Sequence, residues 1–207
     1  RFLLCMGIFD LAVFLTNFQF RLRSYNSTML ALSYRHGFTS RALLGTIYHM
    51  IDRILPVNMI DYRAAFVFSL IATFLCMLGL LCFSKLCLAR CEEKMLPCAE
   101  GLLLIFSMLF SATFAAGYNF LRVDLFMLMT SLLAAALLLS EKAEWLVVPL
   151  SAVGVMFHQG YVFMYFNIVL IFLVLKWFQT DDRRRKRYYV VLFILSFVLA
   201  SAFFLYF

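Results

Sequence analysis

The sequence predicts an all-α, polytopic transmembrane helical bundle of about seven segments. Apolar residues make up 65% of the 207 residues and charged residues 14%, whereas a soluble domain has about 45–50% apolar and about 25% charged residues. The apolar runs are long and continuous, without the alternation that is typical of a transmembrane barrel strand. A helix satisfies its own backbone hydrogen bonds in lipid. The lipid bilayer is therefore the first predicted partner.

The apolar runs give the positions of the predicted segments. A spanning helix needs about 20 apolar residues, and shorter helices occur in bundles. We expect residues 1–207 to form a single transmembrane domain, and we expect the chain to be a fragment of a longer protein, because it starts without Met and ends inside an apolar run. The predicted helices cover residues 2–20, 64–88, 98–117, 122–139, 145–157, 161–178 and 189–207.

The first two segments are joined by a loop, residues 21–63, in which we expect an amphipathic interfacial helix. Over Arg41–Leu55 the apolar residues recur at i, i+3, i+4 and i+7 spacing. Thr39 or Ser40 can cap the start of this helix, and Pro56 stops its continuation. A helix of this kind lies in the membrane interface with its apolar face toward the lipid.

The apolar run 145–178 is predicted to be a hairpin that bends at residues 158–160. Cytoplasmic loops carry an excess of Lys and Arg, and the strongest such run is 183–187, followed by 85–94. If both lie in the cytoplasm, residues 140–144 do too, so the run 145–178 must cross an even number of times. Its short first arm covers only about 20 Å, which places the turn below the outer surface.

The same count sets the orientation and the location. We expect an integral plasma (inner) membrane protein with a cytoplasmic N-terminus, with the loop 21–63 and the connection 117–121 on the extracytoplasmic face. The basic run 183–187 lies in a short loop between two segments, so we interpret it as an orientation signal and a contact for anionic lipid headgroups, with no nucleic-acid partner.

The cysteines and the absence of sequence motifs predict no cofactor and no metal. The six cysteines lie in apolar runs or beside the predicted cytoplasmic loop, where free thiols are expected. The alternative is a metal site, because Cys87 and Cys91 have i, i+4 spacing and Cys98 follows. The sequence contains no P-loop, dinucleotide fingerprint, HExxH or CxxC motif.

The predicted outer face collects the unusual polar residues of the chain. Ionisable residues in or near the membrane are energetically costly, and each is a candidate for function. The alternative for Arg122 and Asp124 is a solvated helix mouth, and for His158 a structural histidine with satisfied hydrogen bonds. The candidate catalytic residues are Asp124 and His158, and the candidate substrate-binding residues are Arg35, Arg41, Arg122, His36, Tyr118, Asn119 and Gln159.

The segment from Tyr34 to Gly45 is the most distinctive in the chain. Gly37 permits a sharp turn, and Arg41 then begins the amphipathic helix, whose N-terminus favours anions. Because the planar guanidinium suits phosphate, we expect Arg35 and Arg41 to flank one phosphate group. The alternative is an interfacial anchor on anionic headgroups.

Three short stretches resemble polytopic bacterial envelope proteins that act in polysaccharide assembly. The pattern R-x-G-F-x-x-R-x-L-L-G of an early outer loop matches residues 35–45, and a later R-x-D at a helix start matches residues 122–124. An H-E-G-type turn before an aromatic-rich helix resembles residues 158–163, with Gln159 in place of the Glu. This group is similar to GT-C glycosyltransferases and polysaccharide polymerases, which usually have catalytic acids in the first outer loop, where this chain has Asp52 and Asp61.

The resemblance implies a membrane glycosyltransferase or polymerase that uses polyprenyl-phosphate-linked sugars for cell-surface glycan assembly. In this hypothesis Arg35 and Arg41 hold the lipid phosphate and offset charge on the leaving group. Asp124 or His158 is the base that deprotonates the acceptor hydroxyl. Two alternatives remain open: a transporter or flippase for an anionic lipid or solute, and a structural subunit of a membrane complex.

Overall fold

The computed structural model describes residues 1–18, 24–36, 41–54, 62–111 and 122–207, and all regular elements within these ranges are helical. The predicted all-α class is therefore confirmed. Within the described ranges, short 3₁₀ turns at Tyr34–His36, Glu93–Met95 and Glu144–Leu146 precede α3, α5 and α7. The helices are α1 Phe2–Asn17, α2 Ser24–Ala31, α3 Ala42–Ile54, α4 Tyr62–Ala89, α5 Leu96–Leu109, α6 Val123–Ser140, α7 Val147–Phe157, α8 Tyr161–Met164, α9 Phe166–Gln179 and α10 Arg183–Tyr206.

Three of the described helices are long and apolar enough to cross a membrane. They are Arg63–Ala89 within α4, α6 and α10, and shorter apolar helices cover Phe2–Asn17, Glu144–Phe157 and Phe166–Gln179. This pattern indicates a membrane protein. The count of seven spans remains a prediction.

Helices α6 and α7 form the centre of the bundle. Helix α6 contacts α4, α7 and α9, whereas α7 lies between α6 and α10, and α1 packs on α4 and α5. Small side chains allow these close approaches: Ala134 and Ala135 of α6 are fully buried, and a Cβ at Gly154 of α7 would overlap the Tyr161 ring. Large apolar side chains such as Ile194 cover the outside of the bundle, which is the surface that lipid would solvate.

Two predicted helix ends are wrong. Helix α1 ends at Asn17 instead of residue 20, because Phe18 is extended (φ −75°, ψ 124°) and the Asn17 amide donates back to a carbonyl of its own helix. Helix α10 begins at Arg183 instead of residue 189, because the Asp182 carboxylate accepts a hydrogen bond from the Arg184 N–H (3.0 Å) and caps the helix. The basic run 183–187 is therefore the first part of a helix and not a loop.

The hairpin bends at residues 158–160 as predicted, but its second arm is not one helix. It is divided at Tyr165 (φ −124°, ψ −24°) into α8 and α9. The Ser131 hydroxyl of α6 donates to the Tyr165 carbonyl (2.9 Å), and the Asn167 amide donates to the Phe163 carbonyl (3.1 Å). Side chains thus bind carbonyl groups beside the break, which is a known cause of helix distortion.

The predicted amphipathic helix is confirmed as α3, whereas helix α2 of the same loop was missed. Helices α2 and α3 pack so closely that a Cβ at Gly45 would overlap the Leu32 carbonyl oxygen. The Thr46 hydroxyl accepts a hydrogen bond from the Tyr34 N–H (3.0 Å) and donates to the Ala42 carbonyl (2.7 Å). Residues 39, 40 and 56, the predicted cap and stop signals, lie outside the described part of the chain.

Helix α3 has three distinct faces. Leu44 and Tyr48 are buried against the bundle. A second, apolar face is exposed: Met50 is 57% and Ile54 76% accessible, although both are large hydrophobic residues. Arg53 is exposed on the remaining, polar side. A helix with one side on protein, one apolar side free and one polar side fits the membrane interface, as an interfacial helix requires.

Candidate functional site

One end of the bundle brings together four of the predicted site residues. Helix α7 contacts both α6 and α3, and His158 is the residue that directly follows α7. The charges of Arg41, Asp124 and Arg122 act electrostatically on the His158 imidazole. Two guanidinium groups, one carboxylate and one imidazole therefore share a site, although they come from three separate stretches of sequence.

An ion pair forms one side of this site. The Arg122 Nε lies 2.8 Å from the Asp124 Oδ2, and the two side chains are 44% and 14% exposed. Arg122 is the N-cap residue of α6 and Asp124 lies in its first turn, where a carboxylate is favoured by the helix dipole. Both residues lie at the mouth of α6, as the alternative prediction has it, with Arg122 partly exposed to solvent and Asp124 mostly shielded.

His158 is held in one orientation by the turn that it begins. Its Nδ1 accepts a hydrogen bond from the Gly160 N–H (2.8 Å), so the proton of the neutral imidazole is on Nε2. Burial lowers the pKa of His158 below its usual 6.5; the Arg41 charge lowers it further, Asp124 raises it, and Arg122 lowers it. The imidazole is therefore neutral at pH 7 and offers an Nε2–H donor.

Arg41 reaches the site in a strained backbone conformation. It is half-buried and has φ 74°, a left-handed conformation that costs a residue other than Gly about 1–3 kcal/mol. It directly precedes Ala42, the first residue of α3, so its side chain lies at the positive end of that helix. Strain of this kind is concentrated at functional sites, and here it occurs at the predicted phosphate-binding residue.

In its described part, the structure does not join the remaining predicted site residues to the group around His158. Arg35 is exposed in the 3₁₀ turn Tyr34–His36, and no contact among the described residues joins it to the group around His158. Gln159 is half-buried in the turn, where its carbonyl accepts from the Val162 N–H (3.3 Å). The side chain of His36 and all of residues 118 and 119, the predicted Tyr118 and Asn119, lie outside what the structure describes.

A second polar group, which the sequence did not reveal, lies at the opposite end of α6. Glu141, just after α6, accepts from the Lys176 Nζ (2.8 Å) and from an Arg185 guanidinium nitrogen (2.9 Å). Nearby, the Glu144 Oε1 accepts from the Tyr189 hydroxyl (2.8 Å). The available signal was Lys176, a lone cation in the apolar run of α9, but the identity of its partner depends on tertiary structure.

This second group stabilises an unusual turn and borders a cavity. Glu141 (φ 58°) and Ala143 (φ 50°) are both left-handed, so the ion pairs compensate for backbone strain. The hydrogen bonds from Lys176 and Arg185 lower the pKa of Glu141 to about 2. A cavity of about 490 Å³ beside the turn is lined by residues of the ends of α4, α6 and α9 and the start of α10, including Arg90.

Asp10 forms a third, smaller polar contact inside the bundle. It is 4% exposed on α1 and faces the hydroxyls of Ser107, on α5, and of Ser111, just beyond the end of α5. Its Oδ1 has no hydrogen-bond partner within the described ranges. Within those ranges no group of three or more His, Cys, Asp or Glu side chains is arranged to hold a metal ion, and all six cysteines are free thiols.

Comparison with known proteins gives no independent assignment: the chain matches no protein-family model, no curated protein and no solved structure. Any functional reading therefore depends on the geometry of these sites.

Proposed function

We propose that the protein is a membrane glycosyltransferase or polymerase that uses polyprenyl-phosphate-linked sugars for cell-surface glycan assembly. One observation carries the proposal: the charges of Arg41, Arg122 and Asp124 act on the His158 imidazole, and Arg122 and Asp124 form an ion pair. This arrangement combines cations that can bind a phosphate with a carboxylate that can accept the proton of a hydroxyl group. Helix α3 adjoins the site with an exposed apolar face, against which a lipid carrier can lie.

The geometry gives each residue a different role. Arg41 binds the carrier phosphate and offsets the negative charge that develops on it as the bond to the sugar breaks. Asp124 is the base, because a carboxylate has several acceptor positions and the Arg122 Nε contacts only one oxygen. His158 is a hydrogen-bond donor through Nε2–H rather than the base, because its Nδ1 already accepts from Gly160.

The transfer step is a substitution at the anomeric carbon of the sugar. The acceptor hydroxyl oxygen forms a bond to this carbon while the bond from the carbon to the phosphate oxygen breaks. The proton of the hydroxyl moves to Asp124, and the electron pair of the broken bond leaves with the polyprenyl phosphate or diphosphate. The Arg41 guanidinium then faces a more highly charged phosphate than before the step, which is how an electrostatic contact lowers the barrier.

The proposed topology has seven spans, a cytoplasmic N-terminus and the site at the extracytoplasmic face of the inner membrane. Arg90 and Arg185, one from each basic segment, line the same cavity, which supports an assignment of both segments to one side of the membrane. The His158 site is at the other end of α6. In a chain whose native cysteines are replaced by Ser, Arg53→Cys should react with an impermeant thiol reagent in intact cells and Lys142→Cys only after lysis; the reverse pattern would refute this orientation.

Binding of radiolabelled polyprenyl phosphate to purified protein tests the phosphate site. Arg41→Gln should weaken binding by about tenfold or more, the usual effect of losing a hydrogen bond to a charged group. Arg53→Gln is the matched control, because Arg53 has the same charge and lies exposed near the end of α3, the helix that Arg41 precedes. Equal binding by the parent and Arg41→Gln, or equal losses in both variants, would remove the basis for the proposal.

Catalysis is tested separately from binding. Reconstituted protein is incubated with polyprenyl-linked radiolabelled sugars extracted from membranes, and glycan products are separated from the carrier. Asp124→Asn should retain polyprenyl phosphate binding and lose about 10²–10⁴-fold in transfer, the range for a general base. Unchanged transfer by Asp124→Asn would assign the base elsewhere.

The alternative proposal, a transporter or flippase for an anionic lipid or solute, has one structural observation in its favour. The helical arm after His158 is broken at Tyr165, and discontinuous helices are typical of transporter sites. A transporter would move labelled polyprenyl-linked sugar across a vesicle bilayer without chemical change. A structural subunit, the third hypothesis, would tolerate both Arg41→Gln and Asp124→Asn and would instead be identified by loss of a partner.

A further inference from the structure

A groove runs between α9 and α10, away from the His158 site. It consists of two adjoining hollows of about 190 and 510 Å³, and both are lined by Trp177 and Val190, so they form one continuous surface. The smaller hollow is lined by apolar and aromatic side chains: Leu173, Val174, Trp177, Tyr189, Val190 and Phe193.

The larger hollow combines an apolar floor with three cations. Arg183, Lys186 and Arg187 line it, and no acidic residue does. The Lys186 Nζ lies 5.2 Å from the centre of the Trp177 ring, in a cation–π contact that orients it along the groove. None of these three cations forms a salt bridge within the described part of the chain, in contrast to Arg185, which is paired with Glu141.

The position of these cations opposes the local helix electrostatics. Helix α10 begins at Arg183, and its first turn, which contains Arg183 and Lys186, favours negative charge. A sequence that breaks a local rule in this way usually does so for function. A bound anion would offset both the cations and the helix dipole at once.

We propose that this groove binds one phospholipid whose headgroup carries net negative charge. The phosphate lies between Lys186 and the guanidinium groups of Arg183 and Arg187, and one acyl chain follows the apolar floor past Val190 toward Phe193. Two features specify this occupant: positive charge at one end of the groove only, and a continuous apolar surface leading from it. Basic pockets between transmembrane helices are known to bind anionic lipid headgroups. The site is independent of the proposed transferase activity.

The natural fluorophore of the groove permits a direct test. The chain has two tryptophans, so Trp145→Phe leaves Trp177 as the reporter. The protein is reconstituted in phosphatidylcholine vesicles that contain increasing mole fractions of dibrominated phosphatidylglycerol or, in parallel, dibrominated phosphatidylcholine, and bromine on a bound acyl chain quenches the fluorescence. We expect half-maximal quenching at an at least fivefold lower mole fraction of the brominated phosphatidylglycerol.

Charge variants distinguish a site from general surface attraction. Lys186→Gln in the reporter chain should reduce the preference for phosphatidylglycerol about fivefold, the usual contribution of one cation near an anionic headgroup. Arg184→Gln is the matched control, because Arg184 lies in the same helical turn but does not line the groove. Equal quenching by the two brominated lipids in the parent, or equal losses in the two variants, would overturn the proposal.

A steric variant tests the acyl-chain part of the site. Val190→Leu adds volume at the residue that both hollows share, and Val190 is 44% exposed, so the change is expected to leave the fold intact. It should reduce quenching by brominated phosphatidylglycerol, whereas Val198→Leu, at an exposed position of the same helix outside the groove, should not. Unchanged quenching in Val190→Leu would show that the chain does not lie in this groove.

Discussion

Replacing Glu141 by Gln should destabilise the protein by about 2 kcal/mol. The pKa of Glu141 is about 2 instead of 4.5 because Lys176 and Arg185 donate hydrogen bonds to it. At about 1.4 kcal/mol per pKa unit this difference sets a ceiling of about 3.5 kcal/mol. Because 37% of the Glu141 side chain is exposed, solvent screening reduces the expected effect to about 2 kcal/mol. The Lys176 side chain, only 10% exposed, is left without its carboxylate partner. An unpaired, mostly buried cation is costly, so the loss in the free energy of unfolding should remain measurable.

The assay is unfolding in mixed micelles of a mild detergent and dodecyl sulfate, followed by intrinsic fluorescence. Trp145 and Trp177 flank the ion pairs in sequence and report on them locally. Glu93→Gln is the matched control, because Glu93 is exposed near the same end of the bundle. A double-mutant cycle with Lys176→Gln should give a coupling energy of about 1–2 kcal/mol. A loss below about 0.5 kcal/mol, or zero coupling, would refute the reasoning.

The same carboxylate predicts a pH dependence of this stability. A folded-state pKa below the unfolded value means that the unfolded chain binds the proton more strongly, so stability falls as the pH falls. The contribution of Glu141 should be present above pH 4.5 and lost as the pH approaches about 2. Glu141→Gln should remove this part of the pH dependence; parallel curves for the parent and the variant would contradict the assignment.

Two further perturbations test the packing and the turn. Gly45→Ala should lower the free energy of unfolding by about 2 kcal/mol, because its Cβ would overlap the Leu32 carbonyl oxygen. Gly101→Ala, whose Cβ would meet nothing within 4 Å, should raise the free energy of unfolding by up to about 1 kcal/mol. Similar effects of the two substitutions in the same unfolding assay would contradict the close contact. Burial, followed by the charge of Arg41, lowers the pKa of His158 in the folded chain, so stability should decrease as the pH falls below 6.5. His158→Gln should flatten this part of the pH profile, and a profile that does not change would refute it.

Local sequence patterns predicted those parts of the fold that local physics determines. The positions of the long helices follow from uninterrupted apolar runs, and α3 follows from a 3.6-residue period. The start of α10 was misplaced because five consecutive cations indicate a loop by charge, whereas the Asp182 cap and good helix-forming residues extend the helix. Helix α2 was missed because its short sequence has no apolar period, and its buried Met29 and Leu30 are covered only in the folded chain.

The candidate site was predicted in its members but not in its arrangement. Arg122 and Asp124 are two residues apart at a helix start, so their pairing is local. The approach of Arg41 to His158 depends on α3 packing against α7, which no sequence pattern reports. The same holds for Glu141 and Lys176, which are 35 residues apart in the chain. Residue types thus indicated candidate polar residues, and tertiary contacts decided which of them meet.

The unequal lengths of neighbouring helices have a consequence for the surrounding lipid. Helix α7 has 11 residues and α10 has 24, which correspond to about 17 and about 36 Å, against a hydrocarbon layer of about 30 Å. On the flank where α3 contacts α7, the exposed Met50 and Ile54 are apolar surface available to lipid tails. A hydrophobic segment shorter than the hydrocarbon layer is generally accommodated by local thinning of the bilayer. The thickness of the host membrane should therefore affect this flank more strongly than the flank formed by α10.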